Sequence, residues 1–149
     1  MRTIFAAYRV SDLERSLTFY TALGYRELGQ VTFDGDGARL AVLGFPGEPV
    51  ATLELVHRPG EGPVHPGGFD HLAVQVDDLT ATRARLIDQG LDPSAVKRPG
   101  GADGPQTAWL EDPDGYRIEL VEWPPGHAYG LTAADFAGQD GSPSPRSRE

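Results

Sequence analysis

Apolar and polar residues alternate over residues 3–10, the two-residue period of a strand. Ile4, Ala6, Tyr8 and Val10 fall on one side, and Thr3, Phe5, Ala7 and Arg9 on the other. The period then lengthens, and Leu13, Leu17 and Tyr20, with Phe19 and Leu23, form a helical stripe. Ser11-Asp12-Leu13-Glu14 reads as a capping box, with Ser11 as N-cap and Glu14 at the third helical position. Gly24 is placed to end the helix in a left-handed conformation. Three short strands are predicted next, at about residues 25–32, 38–43 and 50–57. Asp34-Gly35-Asp36-Gly37 and Pro46-Gly47 supply the turns between them.

A Pro- and Gly-rich connector, residues 58–68, follows, and the order then repeats. Residues 71–76 read as a strand, Asp77 as the cap of a second helix, and Gly90 as its end. Residues 93–105 form a Gly-rich excursion with room for one short strand. Residues 107–111 and 116–122 make a closing hairpin around the turn Asp112-Pro113-Asp114-Gly115. The repeat is visible in the residues themselves. Tyr8-Arg9-Val10-Ser11-Asp12-Leu13 is echoed by Val74-Gln75-Val76-Asp77-Asp78-Leu79, and Leu53-Glu54-Leu55-Val56 by Ile118-Glu119-Leu120-Val121. These patterns predict an α+β fold: two tandem βαβββ modules forming a curved, mainly antiparallel sheet cleft with helices outside. The modules span about residues 3–57 and 69–122 of a single domain, 1–126. Periodicity fades in the extension 127–149, and its end, from residue 142, has the composition of a disordered tail.

Composition narrows the chemistry. Hydrophobic residues at 39% suffice for an ordinary core. A net charge of −9 and a pI near 4.8 argue against a nucleic acid or an anionic membrane as partner. The absence of Cys excludes disulfides, thiolate metal sites and a Cys nucleophile. No apolar run approaches the roughly 20 residues that span a bilayer. The strand-like start, without a signal-peptide core, predicts a cytoplasmic protein.

Alternation also selects the residues of the cleft. Leu53 and Leu55, and Ile118 and Leu120, are the packing faces of their strands, so Glu54 and Glu119 face away from the helices. By the same rule His71, Ala73 and Gln75 face the cleft, as does Phe5. The repeat makes positions 5, 54, 71 and 119 pseudo-symmetric, so these four are expected to converge. Two carboxylates and an imidazole would suit a divalent first-row ion. Lone His and Glu residues in strands are more often surface or hydrogen-bonded groups; it is the repeat that distinguishes these. Asp112 and Asp114 are explained by their turn, and His57, His65 and His127 read as surface residues, with His57 or His65 a reserve ligand. Trp109, Tyr116, Phe69 and Trp123 read as core or rim, and residues 100–104 as a lid.

Arg9-Val10-Ser11-Asp12-Leu13-Glu14-Arg15-Ser16 with Phe19-Tyr20, and Glu111-Asp112-Pro113-Asp114-Gly115-Tyr116-Arg117-Ile118-Glu119-Leu120, resemble the opening and closing segments of vicinal oxygen chelate proteins. This superfamily comprises glyoxalases, bleomycin-resistance proteins and extradiol dioxygenases, and bacterial glyoxalase I is its most similar branch. The resemblance implies a homodimer that binds a small molecule. It implies metal ligands at Glu54, His71 and Glu119, holding Ni, Co or Zn, with Glu119 and Glu54 catalytic. Phe5, Arg9 and Trp109 become candidate substrate contacts. A glyoxalase-like lyase acting on a 2-oxoaldehyde thiol adduct is the leading expectation. At position 5 the family has His or Gln, and Phe offers no lone pair. The alternative expectation is therefore a metal-free antibiotic-binding protein of the bleomycin-resistance type.

Overall fold

The structure, a computed structural model, describes residues 1–136 of the 149. Its elements run β1 (Ala6–Arg9), α1 (Leu13–Leu23), β2 (Arg26–Thr32), β3 (Arg39–Gly44), β4 (Leu53–His57), β5 (Leu72–Gln75), α2 (Leu79–Asp88), β6 (Gln106–Glu111) and β7 (Arg117–Glu122), then a 3-10 turn, Ala133–Phe136. The expected tail from residue 142 lies outside the described residues. The strands form two open sheets, ordered β1-β4-β3-β2 and β5-β7-β6. β1 runs parallel to β4 and β5 parallel to β7, while the other pairs are antiparallel. The fold is α+β, as the periodicity predicts.

The repeat is reproduced in the strand register. Ala7 pairs with Glu54 in the first sheet and Ala73 with Glu119 in the second. Phe5 and His71 thus hold equivalent places, two residues before those pairing positions. The second module departs from expectation in having two strands after its helix instead of three. The short strand predicted within residues 93–105 is reduced to a bridge between Lys97 and Thr107. Pro93, Pro99 and Pro105 lack the N–H that a ladder needs. Gly104 closes this loop so tightly that a Cβ there would lie 2.8 Å from the Gly100 Cα.

Alternation places Leu53, Leu55, Ile118 and Leu120 fully inside, against the helices. One continuous cluster of buried side chains runs through both modules. Strand ends are shorter than the apolar pattern at several places. β1 begins at Ala6 because its partner strand β4 begins at Leu53, leaving Ile4 and Phe5 unladdered.

Both helix caps lie one residue beyond their expected positions. Asp12, not Ser11, caps α1 by accepting from the Arg15 N–H at 3.0 Å. Asp78, not Asp77, caps α2 by accepting from the Ala81 N–H at 2.8 Å. Ser11 is used elsewhere: its Oγ accepts from the Val64 N–H at 2.6 Å and its own N–H donates to Asp114. Glu14 turns away from the cap to pair with Arg39 at 2.7 Å. Gly24 does end α1, at φ 128°, and its N–H donates to the Tyr20 and Thr21 carbonyls.

Two polar joints tie the modules together. Asp112, at the β6–β7 turn and only 5% exposed, accepts from the Tyr20 hydroxyl of α1 at 2.9 Å. Tyr20 in turn bonds the Tyr8 hydroxyl. Burial pushes both phenols far above their ordinary range, so they act as neutral hydrogen-bonding groups. The second joint is Arg85 of α2, whose guanidinium donates to the Ala22 and Leu23 carbonyls, both at 2.9 Å. A cation on the last carbonyls of a helix satisfies orphan acceptors and opposes the dipole. Arg85→Ala is expected to cost about 1–2 kcal/mol, measured by urea unfolding, and an unchanged midpoint would refute this role. No helix of the described residues is long and apolar enough to cross a membrane.

Candidate active site

β7 carries Glu119 at its centre, between Ala73 of β5 and Trp109 of β6. Its neighbours Ile118 and Leu120 are buried against the helical side, so the carboxylate must stand on the opposite, concave face. His71, just before β5, comes onto the same face. Its Nε2 lies 3.4 Å from Glu119 Oε2. The other ring nitrogen, Nδ1, is 2.5 Å from Asp70 Oδ1. A carboxylate on one imidazole nitrogen fixes the tautomer and turns the other nitrogen outward, the usual support of a metal-binding His. With a proton on Nδ1, the Nε2 lone pair faces the Glu119 carboxylate. In that tautomer the pair presents two lone-pair donors to the same point, the arrangement a cation can bridge.

Trp109 sets the edge of this pair. Its ring meets the His71 ring edge-on, centroids 5.1 Å apart, and the Arg117 guanidinium sits 4.3 Å over its face. The cleft that His71 and Glu119 line encloses about 370 Å³, within the range of small-molecule sites. Gln75 and Val121 line it too, as alternation predicts. Trp123, Tyr129 and Leu131 also reach it, and these were not legible as cleft residues. Trp123 reads as rim, and the other two fall where periodicity has faded. Pro99 and Pro105, flanking the expected lid, contribute as well.

Glu54 occupies the equivalent place on the first sheet, between Ala7 and Val42. It lines a different cleft, with Leu40, Val56 and Arg58. The two clefts share no lining residue among the described residues, so one chain does not bring Glu54 to His71 and Glu119. Accordingly, no group of three His, Cys, Asp or Glu placed to hold a metal occurs among the described residues. The chain instead brings His71 to Glu119 in one cleft and sets Glu54 in the other. Phe5 is partly exposed beside β1. Arg9 is held by Glu61 through an ion pair at 3.0 Å and a bond to its carbonyl. His57, one of the two reserve ligands, stands apart with its Nδ1 3.4 Å from the Val10 carbonyl oxygen, and His127, read as a surface residue, pairs with Asp135.

Residues 4–120 match the family model of the glyoxalase/bleomycin resistance protein/dioxygenase superfamily. A probable lactoylglutathione lyase from Synechocystis sp. is 37% identical over 119 residues, covering 76% of this chain and 89% of that protein. The crystal structure of glyoxalase I from Zea mays superposes with a TM-score of 0.70 at 30% identity, over 80% of this chain. The chain spans only 44% of the maize protein's length. TnmS3, an antibiotic binding protein from Streptomyces sp., superposes with a TM-score of 0.65 at 26% identity, covering 83% of this chain and 98% of that one. Sequence and fold agree: this chain belongs to the glyoxalase/bleomycin resistance protein/dioxygenase superfamily.

Proposed function

We propose that the chain is a glyoxalase I-type lyase that works as a homodimer in the cytoplasm. The observation that carries this reading is the His71–Glu119 pair, with Nδ1 of His71 held by Asp70 and Nε2 directed at the carboxylate. The residues suit a divalent ion as a split set. His71 and Glu119 of one copy would hold it together with Glu54 of a second, and water would take the place Phe5 leaves. A bound nickel, cobalt or zinc ion would supply Lewis acidity at a substrate oxygen.

The chain's own groups supply the rest. Glu119 takes a proton from one carbon of the 2-oxoaldehyde thiol adduct and returns it to the adjacent carbon. Hydrogen moves within one molecule, so no redox partner is consumed. Glu54 is its pseudo-symmetric counterpart on the other side. Trp109, fixed by Arg117, forms an aromatic border against which the adduct can lie.

Phe5 favours a second reading, a metal-free cleft that sequesters an aromatic antibiotic, and the likeness to TnmS3 accompanies it. Elemental analysis after metal-supplemented expression separates the two. The lyase reading expects stoichiometric metal and a dimer by sedimentation. It also expects methylglyoxal with glutathione to be turned over. Phe5→His adds a fourth donor and is expected to tighten metal binding about tenfold, or about 1.4 kcal/mol of extra stabilisation in a thermal-shift titration. Absence of stoichiometric metal, with no stabilisation by nickel, cobalt or zinc, would sink the lyase reading in favour of the antibiotic-binding one.

A further inference from the structure

The family model matches only to residue 120, yet the chain continues past β7 and comes back to the cleft. We propose that this returning segment, residues 123–131, is a selectivity wall that favours 2-oxoaldehydes with a ring-sized apolar side chain over the methyl-bearing one.

The segment is built into place. His127 stacks on Trp123 with centroids 4.2 Å apart and planes 9° from parallel. Its Nε2 meets Asp135 Oδ1 at 2.9 Å. Asp135 in turn accepts from the Thr132 N–H at 2.6 Å and from its hydroxyl at 3.0 Å. The Gly130 N–H donates to Gln75 Oε1 at 2.8 Å, which seats the segment on β5 beside the His71–Glu119 pair. Gln75 points into the cleft by strand alternation, so the seat belongs to the same concave face.

The wall is apolar and open to solvent. Trp123, Tyr129 and Leu131 line the cleft on this side, with Val121, Pro99 and Pro105 completing it. Tyr129 is 81% exposed and Leu131 63% exposed, although both belong to a pocket lining. A methyl substituent removes little of that surface from water, whereas a flat ring covers much more. Discrimination by apolar contact alone is of the order of 10–200-fold per methylene-sized change, so the wall is sufficient to set a preference.

This inference rests on the lyase reading, and the test keeps the two apart. Glutathione adducts of phenylglyoxal and methylglyoxal are compared as a ratio of kcat/KM in the full-length metal-loaded protein. The ratio is expected to exceed about ten in favour of phenylglyoxal. Tyr129→Ala and Leu131→Ala are each expected to lower it at least about fivefold. Gln75 acts as a positioning residue through Gly130, so Gln75→Leu should lower the ratio mainly through KM for phenylglyoxal. A merely structural role would depress both substrates alike and leave the ratio where it was. Phe136→Ala, outside the cleft lining, is the control and should not move it. Turnover of both adducts with a ratio that these variants leave unchanged overturns the wall and spares the lyase reading. Failure to turn over either adduct overturns the lyase reading, and the wall with it.

Discussion

Glu119→Gln is expected to lower kcat for the methylglyoxal–glutathione adduct by roughly 10²–10⁴-fold, the span that a positioned general base contributes. The amide keeps the volume of the side chain and one oxygen that can still ligate, but it cannot take up a proton. KM should move little, and bound metal should fall without vanishing. The strand should be undisturbed, because Glu119 stands on the open face while Ile118 and Leu120 anchor β7 inside. A kcat within about tenfold of the parent would remove Glu119 from the proton-transfer role. Activity that falls with bound metal and is restored by excess metal would make it a ligand only.

The largest effect on stability is expected at Asp112. Asp112→Ala leaves the Tyr20 hydroxyl and the Asp114 and Tyr116 N–H groups, each now 2.9 Å from a carboxylate oxygen, without that acceptor. Stranded buried donors cost about 1–3 kcal/mol each when water cannot reach them, and part of the turn can relax. A net loss of about 3 kcal/mol, or roughly 6–12 °C in the melting midpoint, follows for a chain of this size. Asp112→Asn should be far milder. Its oxygen can accept from the two N–H groups while its amide donates to the Tyr20 oxygen.

The same carboxyl has a pH signature. Burial pushes it above the usual carboxylate range, and the bonds from Tyr116, Tyr20 and Asp114 oppose that shift without cancelling it. The folded state therefore holds this proton at pH values where the unfolded chain has released it. Stability from this group falls as pH rises from about 4 through the folded value, and is flat above. Asp112→Asn should abolish that slope in melting midpoints taken across the acid range. A slope that survives the substitution would assign it to other groups.

Much of this site is legible in the residues because strand geometry has a fixed period. Leu53 and Leu55 are sent inward, which sends Glu54 outward, and Ile118, Leu120 and Glu119 repeat the rule. The internal repeat carries further still, since it pairs Ala7 with Glu54 and Ala73 with Glu119 in the same register. What the repeat could not say is whether equivalent positions meet within one chain. Equivalence is a statement about symmetry, and the two clefts are on separate sheets. Helix starts were ambiguous for another reason. Ser11 and Asp12 can both cap, and a distant partner, the Val64 N–H, claims the serine. Tyr129 and Leu131 were invisible because a segment held by single bonds, such as Gly130 to Gln75, has no period to read.

The parallel pairing of β1 with β4 carries a kinetic consequence. Ala6 and Leu53 can meet only after the intervening helix and two strands have formed a closed loop, whereas β6 and β7 close over a five-residue connection. Local hairpins assemble in microseconds, and pairing across long loops must first overcome their closure entropy. The hydrogen bond between Asp112 and Tyr20 spans 92 residues and joins a finished turn to a finished helix. It is expected to form in the last stage of assembly, after the rate-limiting barrier. Weakening it should then shorten the lifetime of the folded protein far more than it delays its formation.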